Sequence, residues 1–162
     1  MIKLTKEIAP EAFNWRNDPS IYRWTRQQGI ISYSDHYSWL DKITKDPSIM
    51  MFGVLNHEKQ NIGTAGLTSI RYDHGTAEFS LLIAPEHQKK GYGKEALKLL
   101  LIYAFDNLRL QTVYGETLVG NPALKMFKDL GFQVEGTLKA RYFKNGAYQD
   151  SIPVSVRKWE LK

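Results

Sequence analysis

Gln88-Lys89-Lys90-Gly91-Tyr92-Gly93-Lys94 places three lysines and two glycines directly after the apolar run Leu82-Ile83-Ala84. Beyond it, Leu97, Leu100, Leu101, Ala104, Phe105 and Leu108 recur at spacings of three and four, which predicts a helix that starts near Gly91 and buries one face. The first turn of a helix carries backbone N–H groups with no intrahelical partner, at the positive end of the helix dipole. Glycines let a bulky phosphate approach those donors, and the lysines add charge, so the chemistry suggested is capture of an anion such as a pyrophosphate. Neither Gly-x-x-x-x-Gly-Lys-Ser/Thr nor Gly-x-Gly-x-x-Gly in a βαβ unit is present. Taken alone, such a turn is equally compatible with an ordinary solvated loop.

The elements that must hold this loop emerge from the pattern around it. Residues 8–46 read as helical and aromatic, broken at Asn17-Asp18-Pro19 and Gln28-Gly29, with Ser34 placed to cap a helix running to about Lys45. Strands are predicted at 50–55, 62–72 and 76–83, the last two joined by Asp73-His74-Gly75. After the long helix, Thr112 to Val119 reads as a strand, Asn121 caps a short helix with Pro122 in its first turn, and Gly131 ends it. Phe132 to Tyr142 resumes as a strand, and Asn145-Gly146 turns the chain into a last strand at about 148–159. The order ααβββαβαββ is that of a mixed α/β domain.

With 162 residues, 43% hydrophobic and 12% aromatic, the chain suits one domain spanning 1–162. No run approaches the roughly 18 apolar residues of a membrane span, and the first residues lack the apolar stretch of a signal peptide, so a cytoplasmic protein without membrane partners is expected. The absence of cysteine excludes disulfides, zinc-thiolate sites and a cysteine nucleophile. His36, His57, His74 and His87 show no metal-ligand spacing, and no metal is expected. A net charge of +5 raises the question of nucleic acid, but the basic residues are scattered among acidic ones and no aromatic RNA-binding motif organises them. Nucleic acid is not an expected partner.

Three local signatures in this order make the chain resemble the GCN5-related N-acetyltransferase (GNAT) superfamily. Gln88-Lys89-Lys90-Gly91-Tyr92-Gly93 resembles the coenzyme A signature Gln/Arg-x-x-Gly-x-Gly/Ala. Asn121-Pro122-Ala123 through Gly131-Phe132 resembles the family's Asn-x-x-Ala/Ser segment ending in Gly-Phe, and Glu78 stands near the start of the strand that enters the loop. Trp15-Arg16-Asn17-Asp18-Pro19, Ile31-Ser32 with His36 and Trp39, and Lys144 to Asp150 are similar to a subgroup holding RimJ/RimL-like protein N-terminal acetyltransferases and PseH-like acetyltransferases of nucleotide-linked aminosugars. The resemblance implies a mostly antiparallel central sheet flanked by helices, acetyl-CoA as cosubstrate and a primary amine as acceptor. Some members pair as dimers, and a homodimer is allowed, though no surface in the sequence establishes one.

On that resemblance, the backbone of residues 89–94 (Lys89, Lys90, Gly91, Tyr92, Gly93 and Lys94), with Gln88, would hold the pyrophosphate, and Leu82, Ile83 and Ala84 would bond pantetheine as if it were an added strand. Asn121 would reach the pantetheine arm while capping its helix, since an amide has separate donor and acceptor atoms. A substrate ammonium has a pKa on the order of 10, so attack on a thioester needs a proton acceptor. Glu78 is the first candidate; it shares a strand face with Ser80 and Leu82, and the plain alternative is a solvated or ion-paired strand residue. Glu116 would help collect a cationic acceptor or serve structure, and His36 would contact substrate or simply pack. Phe127 occupies the position where many members carry a tyrosine that protonates the leaving thiolate, so no general acid is assigned. With no cysteine for a covalent acetyl-enzyme, direct attack in a ternary complex is expected. A small amine, such as an aminosugar nucleotide, is slightly favoured over a peptide α-amine; a coenzyme-binding module without chemistry is the reading from a different class.

Overall fold

The computed structural model describes residues 1–4 and 9–162. The chain runs β1 (Ile2–Lys3), α1 (Ala9–Asn17), α2 (Pro19–Tyr22), α3 (Tyr33–Lys45), β2 (Met50–Leu55), β3 (Asn61–Arg71) and β4 (Thr76–Ile83). It continues through α4 (Tyr92–Ile102), β5 (Thr112–Leu118), α5 (Ala123–Asp129), β6 (Gln133–Val134), β7 (Leu138–Lys144) and β8 (Ala147–Arg157). The strands form one eight-stranded sheet in the order β1-β2-β3-β4-β5-β8-β6, with β7 also paired to β8. Among the described residues, all pairings are antiparallel except β4 with β5. This is the mixed, mostly antiparallel α/β architecture expected from the sequence.

Helix α4 covers the centre of the sheet as its periodicity requires. Leu97, Leu100, Leu101, Ala104 and Phe105 are buried against Ile62, Leu67, Val113, Val154 and Val156, while Leu108 is half-buried. Each large side chain removed from water there contributes about 1.5–3 kcal/mol before packing terms. The helix ends in a π-helical turn over Tyr103–Asn107. Among the described residues no helix is long and apolar enough to cross a membrane.

Local departures from expectation have identifiable causes. Helix α3 is capped by Ser32 rather than Ser34: the Asp35 N–H donates to Ser32 Oγ at 3.1 Å, and that hydroxyl donates back to the Asp35 carboxylate at 2.7 Å. This reciprocal pairing places Ser34 inside the first turn. The strand expected from Phe132 to Tyr142 is interrupted after Val134, and β7 carries an irregular register where Ala140 adopts φ +49°. Asp150 accepts the Ala140 N–H at 2.8 Å and holds that kink. Asn145 and Gly146 both have positive φ, as a two-residue hairpin turn needs. The edge pair β1 with β2 had no sequence signal, being two residues long.

The single parallel pairing shapes the middle of the sheet. Among the described residues β4 pairs with β5 only through Thr76, Ala77 and Glu78 opposite Thr112, Val113 and Tyr114, while β4 runs on to Ile83 along β3 and β5 runs on to Leu118 along β8. The two strands therefore separate below a short shared stem. Gly115 lies just past the stem, where a Cβ would stand 2.4 Å from the Phe79 ring.

Candidate active site

The separation of β4 and β5 opens a cavity of about 480 Å³. Leu81, Leu82 and Ile83 form one wall, Asn121, Pro122, Ala123 and Met126 another, and Ser20, Ile21, Trp24 and Thr25 cover it. Gln88, Lys89, Gly91, Gly93 and Lys94 close the remaining end. A strand edge beside open space, next to a basic loop, is what an extended, phosphate-bearing arm requires.

The loop geometry is set by its glycines. Gly91 stands at the N-terminus of α4 with φ +88°, a left-handed conformation that only glycine adopts without strain, and no side chain caps the helix there. Lys89 is also left-handed, at φ +59°. A Cβ on Gly91 would meet nothing within 4 Å, so the space in front of it is open. A Cβ on Gly93 would stand 3.5 Å from Ile83 Cγ1 and 3.6 Å from Met126 Sδ, inside the cavity lining. The residues thus fit a pyrophosphate at the start of α4, with Lys89 and Lys94 supplying charge. Gln88 ties the loop to the strand by donating from Nε2 to the Ile83 carbonyl at 3.0 Å.

Three residues expected at this end are not brought to the cavity. Ala84 is fully buried, its carbonyl accepts from His87 N–H at 2.9 Å, and its N–H donates to the Ile62 carbonyl at 2.8 Å, so its one backbone donor is already used. Lys90 is exposed outside the lining. Tyr92 turns the other way, toward the rings of His57 and His87 at 6.3 and 6.2 Å. Asn121 does line the cavity and does cap α5: its Oδ1 accepts from Ala123 N–H at 3.0 Å, and Nδ2 donates to Thr117 Oγ1 at 2.8 Å. That leaves a second amide hydrogen on Nδ2 for a ligand.

At the opposite end stand two carboxylates. Glu78 and Tyr114 face each other in register, and Glu116 lies two residues further on the same face of β5. Arg26 lies between the carboxylates, with Nη2 2.5 Å from Glu78 Oε1 and Nη1 3.9 Å from Glu116 Oε2. Ser151 donates its hydroxyl to the other Glu116 oxygen. Burial draws the Arg26 pKa down, but the Glu78 charge and Tyr142 outweigh it, so the guanidinium titrates above its ordinary range. Burial, then the Glu78 charge, raises the Tyr114 phenol. Glu78 itself does not line the cavity; it lies three residues up β4 from Leu81, about 10 Å along the strand. Thr25, which does line it, precedes Arg26.

Sequence reasoning missed Arg26 and what holds it. Lys144 is 4% exposed, and its Nζ donates to the carbonyls of Tyr22 at 2.5 Å, Thr25 at 2.6 Å and Gln27 at 3.3 Å. It also lies 4.0 Å from the centre of the Tyr22 ring, and burial lowers its pKa. Gln28 Nε2 adds a bond to the Phe143 carbonyl at 2.9 Å. The 22–28 segment is thereby fastened to the end of β7. His36 is not part of the cavity: it is 1% exposed and packed between Phe13 and Trp39, 5.5 and 5.6 Å between ring centres. Phe127 is buried against Phe79 and Phe132, so the site of the expected tyrosine is apolar throughout.

A strand edge splayed beside a glycine-opened helix start, with an acidic pair past its far end, defines an acyltransferase built to take its acyl group from a coenzyme arm. The family profile "Acetyltransferase (GNAT) domain" matches residues 1–133, and the chain belongs to that family. It is similar to the spermidine N(1)-acetyltransferase of Vibrio cholerae, 34% identical over 138 residues that cover 85% of this chain and 80% of the relative. The acetyltransferase PseH of Campylobacter jejuni is 30% identical over 123 residues, 75% of this chain and 74% of that protein. The crystal structure of spermidine N-acetyltransferase from Vibrio cholerae in complex with CoA and spermine superposes with a TM-score of 0.92 at 30% identity, covering 98% of this chain and 94% of that one. The protein is an acetyl-CoA-dependent N-acetyltransferase acting on the amine of a small molecule.

Proposed function

We propose that the acceptor is a polycationic amine of the spermidine class, acetylated at a primary amine. The observation that carries this reading is the Glu78–Arg26–Glu116 arrangement, in which two carboxylates past the end of the cavity together hold one cation. Two ammonium groups of one molecule suit such a pair. A nucleotide-linked aminosugar would bring negative charge toward the same carboxylates, which favours the polyamine over it. The similarity to spermidine N(1)-acetyltransferases supports the same reading.

Acetyl-CoA supplies an activated thioester carbonyl. Leu81 to Ile83 present the strand edge along which its arm lies, Gly91 and Gly93 leave room for its pyrophosphate, and Lys89 and Lys94 offset the phosphate charge. Glu78 accepts a proton from the acceptor ammonium, directly or through water; the neutral nitrogen then forms the N–C bond as the C–S bond breaks, and the second N–H proton passes to water. The sulfur leaves as thiolate and takes its proton from solvent, since Phe127 has none to give.

The test is product analysis with acetyl-CoA and a panel of spermidine, spermine, a monoamine, a peptide with a free α-amine and an aminosugar nucleotide. The polyamines are expected to exceed the others in kcat/KM by roughly tenfold or more, equivalent to about 1.4 kcal/mol. Acetylation of the peptide or the sugar nucleotide with polyamines inert would overturn the reading. Glu78→Gln is expected to lower kcat by about 10²–10⁴ with acetyl-CoA affinity retained.

A further inference from the structure

Resting on that reading of the carboxylate pair, we propose that Arg26 is a tethered competitor for the acceptor's cationic seat and sets the charge an amine must carry to be accepted. One guanidinium reaches both Glu78 and Glu116, at 2.5 and 3.9 Å. The side chains it holds are 17% and 15% exposed, whereas its own is 43% exposed. The carboxylates are therefore partly withdrawn from water and depend on a cation. The cation itself is at the surface.

The mounting of Arg26 separates side chain from backbone. Lys144 holds the carbonyls of Tyr22, Thr25 and Gln27, on both sides of Arg26, and Gln28 is bonded to Phe143. Trp24 and Thr25, the two residues before Arg26, cover the cavity from the same segment. Arg26 can thus leave the carboxylates by side-chain rotation alone, with the cavity wall unmoved. Rotamer changes in exposed side chains take place in picoseconds to nanoseconds, far faster than turnover.

Displacement has a charge requirement. A singly charged amine that enters beside Glu78 replaces one ion pair with another and leaves Glu116 without a cation. A multiply charged amine supplies a second ammonium, so both carboxylates remain paired after Arg26 departs. Arg26 thereby discriminates against monoamines by competition, an element of repulsive selection at the acceptor end.

Arg26→Ala and Arg26→Gln test this by steady-state kinetics on a monoamine and a diamine, with thermal melting to verify folding. Loss of the competitor is expected to lower KM for the monoamine by roughly threefold to tenfold, with kcat little changed, so that the preference for multiply charged amines narrows. An unchanged or raised monoamine KM in both folded variants would overturn the proposal, as would a collapse of kcat at constant KM, which marks an orienting role for Arg26. Methylguanidinium gives a readout independent of the acceptor's identity: it is expected to compete with the acceptor in Arg26→Ala and not in the unaltered protein. If polyamines are inert yet this competition appears only in the variant, the polyamine reading fails and the role of Arg26 stands. If polyamines are acetylated but methylguanidinium inhibits both proteins equally or neither, the role of Arg26 fails alone.

Discussion

At the coenzyme end of the cavity, Gly91 and Gly93 act by lacking side chains, and Leu81 to Ile83 act through a strand edge. At the acceptor end, Arg26, Glu78, Glu116 and Lys144 act through charged side chains contributed by four separate segments. On the proposed reading, the first arrangement would hold the acetyl donor and the second would select the acceptor amine. The contrast teaches that binding of the donor and choice of the acceptor are carried by different kinds of atoms in one molecule, so substitutions should separate them.

The largest expected effect on donor binding is at Gly91. Gly91→Glu sets a carboxylate where the pyrophosphate belongs, and like charges at that distance cost several kcal/mol, so acetyl-CoA affinity by calorimetry should fall about a hundredfold or more. Gly91→Ala separates the causes: its Cβ meets nothing within 4 Å, and left-handed backbone strain of about 1–2 kcal/mol is its only penalty. If Ala weakens binding as much as Glu, the loop works by conformation rather than by charge.

Lys144→Met is expected to have a smaller effect, confined to the other end. The stem still fills its site, but three carbonyls lose a charged donor, which costs on the order of 1–3 kcal/mol in unfolding free energy. Acceptor KM should rise while acetyl-CoA affinity changes little. Equal losses at both ends would break the division between donor binding and acceptor choice.

Asp150→Asn should have the smallest effect, through the exposed part of the same hairpin. The Lys139 ammonium and the Ala140 N–H hold the Asp150 carboxyl below its ordinary range, so its contribution to stability is present above pH about 4 and is lost as pH falls through the lowered folded value. Thermal melts from pH 5 to 2 should show a shallower acid decline in the variant.

The difference between the two ends also explains what could be read in the sequence. The place of Gly91, Gly93, Lys94 and Asn121 on the cavity lining was legible because they lie at loops and helix starts, and the apolar spacing of α4 fixes where the first of those loops must lie. Arg26 was not legible. Its partner Glu78 is 52 residues away, and an arginine in an aromatic, turn-rich segment carries no periodic signal. Lys144 before an Asn-Gly turn reads as a solvated charge, and only the fold shows it buried beneath the carbonyls of another segment. Neighbours of the loop share its sequence but not its direction: the Ala84 N–H already bonds to Ile62 of β3, and the Tyr92 ring faces the histidines, which leaves only its backbone for the role expected of it.

The short stem between β4 and β5 has a mechanical consequence. Three residue pairs join the half-sheet of β1 to β4 to the half-sheet of β5 to β8 among the described strands, and beyond them the halves are held by helix α4 and side-chain packing rather than by backbone hydrogen bonds. A donor arm laid along Leu81 to Ile83 would act as a removable rung, closing an edge that lies in the middle of the protein rather than at its rim. Amide hydrogen exchange at those residues should then slow sharply when the donor binds, stiffening the platform before any amine arrives.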